Sequence, residues 1–218
     1  MLSKSKRKIV IHHLFKIPDP ISLLRVNDLV FFDDCLYSQY VFLKRNNRIL
    51  KDMRINCVLG FSPKAVRPDG NPGVEEIESA TLHSQLNDAV LVPTDVAEGD
   101  FLNGFMTFPE LVELMGDDNI FIALHGGCHF RLETIHDKFK QFDMFVGDLK
   151  WGMSRFNELG LKTDIFVFPY AFQPFLGVTI LKNYGFKYIF AVNDYDRIPI
   201  EELMTHEFYK YRHFKYAT

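Results

Sequence analysis

Short apolar runs alternate along the chain with longer segments in which apolar residues recur every three or four positions. The short runs predict β-strands at 8–11, 29–32, 55–61, 89–92, 120–124, 164–168 and 187–192. Helices are predicted at 108–115, 138–159 and 175–184, and glycines at 160 and 185 close the last two. Strands that alternate with helices are typical of a mostly parallel sheet. We therefore expect one α/β domain, a distorted (β/α) barrel or open sheet of about seven mostly parallel strands.

Length and composition support a single domain. The chain has 218 residues, 47% of them hydrophobic, and we expect one domain over 1–218 with a core at about 8–195 and a C-terminal tail at 196–218. A net charge of -3 provides no overall basic field, so nucleic acid is not an expected partner. No apolar run approaches the roughly 20 residues of a membrane span, and the run at 9–11 is too short for a signal peptide. These features, with three cysteines that make a poor disulfide framework, predict a cytoplasmic protein.

Polar residues follow two of the predicted strands at the point where each strand ends. Asp33 and Asp34 follow the strand 29–32, where adjacent carboxylates would drive one charge into the core if the strand continued. His125 and His129 follow the strand 120–124, in the stretch ALHGGCHFR. Because the carboxyl ends of parallel strands meet at one edge of a sheet, these four side chains are expected to lie together.

Each group also has a purely structural interpretation. The two aspartates could form an exposed acidic turn, or Asp34 could cap a helix that starts at Cys35, and the histidines could flank a glycine turn. Taken together, two imidazoles and one carboxylate form an open ligand set that is typical of a catalytic divalent metal ion, and the second carboxylate is a natural general base. Cys128, between the histidines, is either a fourth ligand or, more commonly, a small apolar filler.

Four stretches of the sequence resemble successive motifs of the polysaccharide deacetylases, which are also called the NodB-homology family or carbohydrate esterase family four. In chain order these stretches are FFDD, HGGCH, FVFPYAF and LKNYGFKYIFAV. The resemblance covers about residues 8–195. It implies that Asp34, His125 and His129 bind the metal and that Asp33 is the base. It also implies that Tyr170 donates its backbone N–H to the oxyanion formed on the attacked carbonyl. His13, Pro169 and Tyr170 are the candidate substrate contacts, although His13 is alternatively a structural histidine.

The sequence departs from the family pattern at several positions. Phe31 stands where threonine is usual, Cys35 where glycine is common, and Val167 or Phe168 where many members have an arginine. The last family motif, a histidine that protonates the leaving amine, has no clear counterpart. His206 and His213 are the candidates for this acid, and each is alternatively a surface histidine of the tail.

The resemblance implies a metal-dependent hydrolase that removes an acetyl or formyl group from an amino sugar. The expected substrate is an intracellular precursor of a bacterial surface polysaccharide, such as lipopolysaccharide O-antigen. The expected cofactor is one divalent ion, with zinc favoured over cobalt, nickel, manganese and iron.

Lys64 or Arg67, on a loop at 62–73 that is expected to be exposed, could contact a nucleotide-linked sugar. The sequence leaves the oligomeric state open. It also leaves two alternatives, a hydrolase of a non-sugar linear amide and a degenerate, non-catalytic sugar-binding domain.

Overall fold

A computed structural model describes the backbone of residues 7–11, 19–75, 100–192 and 208–213. Side chains are described in the same ranges except at 7–11, 100–101, 171, 191–192 and 208–213. The predicted strand at 89–92 lies outside the described residues.

The centre of the fold is a parallel β-sheet. Its strands are β1 (Arg7–Ile11), β2 (Asp28–Phe32), β3 (Asn56–Phe61), β4 (Ile120–Leu124), β5 (Ile165–Val167), β6 (Tyr188–Val192) and β7 (Phe208–His213). The strands pair in chain order, all in parallel, and β7 also pairs with β1, so that the sheet closes into a barrel. The predicted α/β class with a parallel sheet is confirmed. Strand β7 falls in the segment that the sequence analysis assigned to the tail.

Four α-helices lie in the described part of the chain. They are α1 (Tyr37–Asp52), α2 (Phe108–Met115), α3 (Lys138–Glu158) and α4 (Gly177–Asn183). Helices α2, α3 and α4 match the predictions to within two residues at each end, whereas α1 was not predicted. None of the helices in these ranges is both long and apolar enough to cross a membrane.

The strand side chains alternate between two apolar layers, as expected for a sheet whose two faces are both buried. One layer contains Val30, Phe32, Leu59 and Leu124 and packs against the helices. The other is a small cluster of strand residues alone, formed by Leu29, Phe31, Val58, Ala123, Ile165, Val167 and Phe190. Because no helix of the described ranges contributes to this second cluster, it fills the inside of the barrel.

Candidate metal centre

Continuing the alternation of the strands places two candidate residues on the inner face of the barrel. Asp33 follows Leu29 and Phe31 at a spacing of two, and His125 follows Ala123 in the same way. Both side chains therefore lie just above the apolar cluster that fills the barrel. They belong to the carboxyl ends of β2 and β4, the edge at which ligands gather in folds of this kind.

Three ligand atoms from three separate positions converge at this edge. Asp34 Oδ1 lies 2.9 Å from His129 Nε2 and 3.5 Å from His125 Nε2, and the two Nε2 atoms are 3.1 Å apart. Two donor atoms that each lie about 2.1 Å from one ion are roughly 3.0–3.4 Å apart when the donor–metal–donor angle lies between the octahedral and the tetrahedral value. The triangle thus has the dimensions of one face of a metal coordination shell. Asp34, His125 and His129 are 3%, 1% and 2% exposed, respectively.

The hydrogen bonding of His125 fixes which ring nitrogen faces the centre. Its Nδ1 lies 3.0 Å from the carbonyl oxygen of Val167, an acceptor only, so Nδ1 carries the proton and donates it. The lone pair of the neutral ring is therefore on Nε2, which faces Asp34 and His129. A metal-binding histidine is typically oriented by such a bond to a backbone carbonyl.

The charges of the two aspartates act on His125. Burial by itself lowers the pKa of this imidazole, but Asp34 and Asp33 both raise it, and the net pKa lies above the ordinary value. A site that attracts a proton in this way also attracts a divalent cation, because both are drawn by the same carboxylates. The donor set of two imidazoles and one carboxylate fits zinc or another divalent transition metal.

Asp33 lies beside this triangle with its carboxylate close to His125. A Cβ atom built on Gly60, the penultimate residue of β3, would lie 3.2 Å from His125 Cγ and 3.5 Å from Asp33 Oδ1. The side-chain amide of Gln39 donates to the backbone oxygen of Asp33 at 2.7 Å, which fixes the chain as it leaves β2. Asp33 is 4% exposed.

Several candidate residues adopt a left-handed backbone conformation, which is unusual for residues other than glycine. Asp34 has φ 72°, Cys35 50°, His129 57° and Tyr170 52°. Such conformations cost of order 1–3 kcal/mol each and persist only where the surrounding structure enforces them. Their concentration at this edge of the barrel is typical of a functional site.

The two structural interpretations of the aspartates do not hold. Helix α1 begins at Tyr37, and the N–H of its N-cap residue, Leu36, donates to Gln39 Oε1 at 2.9 Å. Asp34 is therefore not the helix cap, and its carboxylate faces the histidines instead. Neither aspartate is part of an exposed turn, because both are buried.

Cys128 behaves as an apolar filler. It is buried in a cluster with Leu36, Ala65, Leu102 and Phe105. Burial, together with the neighbouring charge of Asp148, raises the pKa of its thiol to about 12. Within the described part of the chain, the group of side chains that could hold an ion consists of Asp34, His125 and His129, without Cys128.

Pro169 and Tyr170 follow β5 and border the centre. The ring of Tyr170 packs on that of His129, with ring centroids 4.7 Å apart, and the guanidinium of Arg131 lies 5.0 Å from the centroid of the Tyr170 ring. Tyr170 thus stands at the same edge as the ligand triangle. Its role as oxyanion donor remains a prediction.

The prediction that Lys64 and Arg67 lie on an exposed loop was wrong. Both are buried, as is most of the segment 62–67, and only 68–72 is exposed. Arg67 pairs with Glu110 at 2.6 Å and its guanidinium lies 4.8 Å from the centre of the Tyr37 ring, so it anchors the segment rather than reaching solvent. Neither side chain is placed to contact a nucleotide at the surface.

Three other candidates lie where the structure describes no side chain. His13 and His206 fall outside the described residues. His213 is the last residue of β7, where its backbone pairs in register with Val10 of β1.

Two residues that hold the segment of the two histidines were not predicted from the sequence. Ser62 Oγ donates to the carbonyl oxygen of His125 at 2.6 Å. Asp148 of α3 accepts hydrogen bonds from the backbone N–H groups of Gly127 and Cys128. Burial raises the pKa of Asp148 to about 6 against the lowering effect of these bonds, so its carboxyl is still mainly ionised at pH 7. Asp148 could have been recognised as an acid on the buried face of the predicted helix, three residues after Phe145.

Comparison with known proteins identifies relatives by structure alone. No protein-family model matches the sequence, and no curated protein is significantly similar to it. The structure is similar to that of IcaB from Ammonifex degensii, with 15% sequence identity and a TM-score of 0.60 over 96% of this chain and 91% of that one. The deacetylase domain of BpsB from Bordetella bronchiseptica has 12% identity and a TM-score of 0.56, covering 95% and 94%. A de-N-acetylase from Aggregatibacter actinomycetemcomitans has 15% identity and a TM-score of 0.53, covering 84% and 68%.

These similarities cover 84–96% of the chain. Because the sequence identities are only 12–15%, the similarities establish the fold alone. The resemblance predicted from FFDD, HGGCH and FVFPYAF is thereby confirmed at that level, and the chain has the fold of the polysaccharide deacetylases.

Proposed function

We propose that the protein is a metal-dependent hydrolase that removes an acetyl or formyl group from the nitrogen of an amino sugar. The observation that carries this proposal is the buried triangle of Asp34, His125 and His129, with Asp33 beside it, at the ligand-binding edge of a deacetylase fold. A purely structural ion pair would not need two imidazole rings directed at the same point as the carboxylate.

Asp34, His125 and His129 would hold one divalent ion, for which zinc is the favoured candidate. When bound, such an ion lowers the pKa of a coordinated water and polarises the amide carbonyl. Three protein ligands leave the remaining coordination positions to water and substrate, as in catalytic rather than structural sites.

Asp33 would act as the general base. It is buried beside His125 and its charge raises the pKa of that ring, so its carboxylate is close to the proposed metal ligands. It would accept the proton of the attacking water. The backbone N–H of Tyr170 would donate to the carbonyl oxygen as that oxygen becomes negatively charged, in agreement with the position of Tyr170 next to His129.

We favour His213 over His206 as the acid that protonates the leaving amine. His213 ends β7 at the carboxyl edge of the parallel barrel, the same edge that carries Asp33 and His125. His206 precedes the first residue of β7 by two positions in the chain. A histidine at the carboxyl end of the strand is therefore better placed for the site than one that precedes the strand in the sequence.

The finer substrate assignment is an intracellular precursor of a bacterial surface polysaccharide, such as lipopolysaccharide O-antigen. Its support is the sequence-based expectation of a cytoplasmic protein, together with the de-N-acetylase and deacetylase names of the structural relatives. Candidate substrates are accordingly N-acyl amino sugars, free or carried on a nucleotide or a lipid.

The direct test measures acetate or formate released from N-acetyl and N-formyl amino sugars. The protein is stripped of metal and then loaded with zinc or cobalt, and release is expected only from the loaded form and not from loaded Asp33→Asn. Release from linear N-acyl amides but not from sugars would favour the non-sugar alternative. Sugar binding without release by the loaded protein would instead favour the non-catalytic domain and contradict the proposal.

A further inference from the structure

Both histidines of the centre lie on one short irregular segment, residues 125–129, here called the histidine loop. Two adjacent N–H groups of this loop donate to a single carboxylate, that of Asp148 in the middle of α3. Gly127 N–H donates to Asp148 Oδ2 at 2.9 Å, and Cys128 N–H donates to Asp148 Oδ1 at 2.6 Å. Asp148 is buried, so these bonds are formed away from water, where unmade hydrogen bonds are costly.

The histidine loop also packs closely against the backbone of α3 and the ring of Trp151. A Cβ atom on Gly127 would lie 2.6 Å from the backbone oxygen of Asp148 and 2.9 Å from Gly152 N. A Cβ atom on Gly152 would lie 2.9 Å from Gly127 Cα. Asp148 and Gly152 are four residues apart and therefore lie on one face of the helix. The carboxylate of Asp148 and the backbone of Gly152 thus both contact the loop at Gly127.

The opposite side of the loop contacts the segment 62–64, where Ser62 Oγ donates to the carbonyl oxygen of His125 at 2.6 Å. The backbone N–H of Lys64 donates to the carbonyl oxygen of Gly127 at 3.3 Å, a longer bond than those to Asp148. His129, at the end of the loop, has φ 57°, a conformation that the surroundings must enforce. The two bonds to Asp148 join the loop at the residues between the histidines, where they can set the separation of the two rings.

We propose that Asp148 is the positioning residue of the metal centre, holding the histidine loop so that His125 and His129 direct both Nε2 atoms at one ion. The proposal rests on the proposed function, since it presupposes that the triangle binds a metal. Asp148 is not a ligand, because its oxygens face the two backbone N–H groups. It acts through the loop, as second-layer groups do in other metal sites, where their loss weakens metal binding by about 10- to 100-fold.

The test measures zinc affinity of the metal-free protein by competition with a chelating dye, for wild type, Asp148→Asn and Asp148→Ala. Asparagine keeps the shape and one acceptor but turns an NH₂ group toward the other N–H, so it should weaken zinc binding by about tenfold, and alanine by more. The matched control is Asp143→Asn, an exposed acid of the same helix, which should bind zinc like wild type. Asp148→Asn remains informative if the alanine variant does not fold.

The outcomes separate this inference from the function on which it rests. Wild type that binds no zinc or cobalt contradicts both. Wild type that binds zinc, with a folded Asp148→Asn variant of equal affinity, overturns the inference alone. A second readout is the visible absorption of the cobalt form, which reports ligand geometry. We expect it to change in Asp148→Asn and not in Asp143→Asn, whereas a role in overall stability alone would leave it unchanged.

Discussion

The Nε2 atoms of His125 and His129 lie 3.1 Å apart and both face Oδ1 of Asp34. Two neutral imidazoles at this distance can share one proton in a hydrogen bond, and they can equally bind one cation between them. The carboxylate favours the cation, because it is a third donor at the same point and carries a negative charge. This relationship is the basis of the predictions that follow.

Replacing either histidine should remove the metal. His125→Ala and His129→Ala each leave two of the three protein donors, so zinc affinity should fall by at least about two orders of magnitude, more than for a supporting residue. Equilibrium dialysis followed by elemental analysis measures this. His136→Ala, an exposed histidine, is the control and should keep its metal. A histidine variant that retains a full equivalent of ion would remove that histidine from the ligand set.

Replacing Asp33 should separate metal binding from turnover. Asp33→Asn keeps the size of the side chain but cannot accept the proton, so kcat should fall by about 10²- to 10⁴-fold while metal content stays unchanged. The exposed Asp69→Asn is the control. Equal turnover in Asp33→Asn and wild type would assign the base to another residue.

A methyl group at Gly60 should disturb the centre, since its Cβ would press on His125 Cγ at 3.2 Å. Gly60→Ala should therefore lower metal affinity and activity together, measured on the folded variant. The matched control is Gly147→Ala, where an added Cβ has no neighbour within 4 Å. This helical position should gain about 0.5–1 kcal/mol of unfolding free energy, because alanine loses less backbone entropy than glycine. Unchanged metal affinity in Gly60→Ala would show that the His125 ring has room to move.

The three cysteines should be unreactive in the folded protein. Burial raises the thiol pKa of Cys35, Cys57 and Cys128, and for Cys35 the charges of Asp34 and Asp33 add to the effect. At pH 8 the thiolate fraction is therefore far below that of a free cysteine, and reaction with Ellman's reagent should be slow until denaturant is added. Three thiols per chain should then react at once. Rapid labelling of Cys128 in the native protein would contradict its assignment as a buried filler.

Much of the fold was predictable because its strands are short, apolar and bounded by polar residues. The strand at 120–124 was predicted at its full length. Helix α3 was predicted from the spacing of its apolar residues, and it begins after Asp137. The side chain of Asp137 caps this helix by accepting hydrogen bonds from the N–H groups of Phe139 and Lys140. Helix α1 was missed because its sequence, YSQYVFLKRNNRILKD, contains many polar and charged residues and lacks a side-chain cap. Its buried face consists of few apolar residues, among them Phe42, Leu43 and Leu50.

The grouping of Asp34, His125 and His129 was predictable from position, because each of them follows the end of a strand. The supporting contacts were not, because they join residues that are distant in the sequence. Val167 lies 42 residues from His125, and Asp148 lies 20 from Cys128. The burial of Lys64 and Arg67 was equally hidden, since the prolines and glycines of 62–73 indicate a loop but not the Glu110 and Tyr37 side chains that hold it inward.

The metal content of the protein shows whether Asp34, His125 and His129 form a metal site. Wild type and Asp34→Ala are purified without an affinity tag, incubated with zinc or cobalt, freed of unbound ion and measured by elemental analysis. The account predicts about one ion per wild-type chain, as expected for a single three-ligand site, and none in the variant. Wild type without bound metal, or Asp34→Ala with a full equivalent, would contradict it.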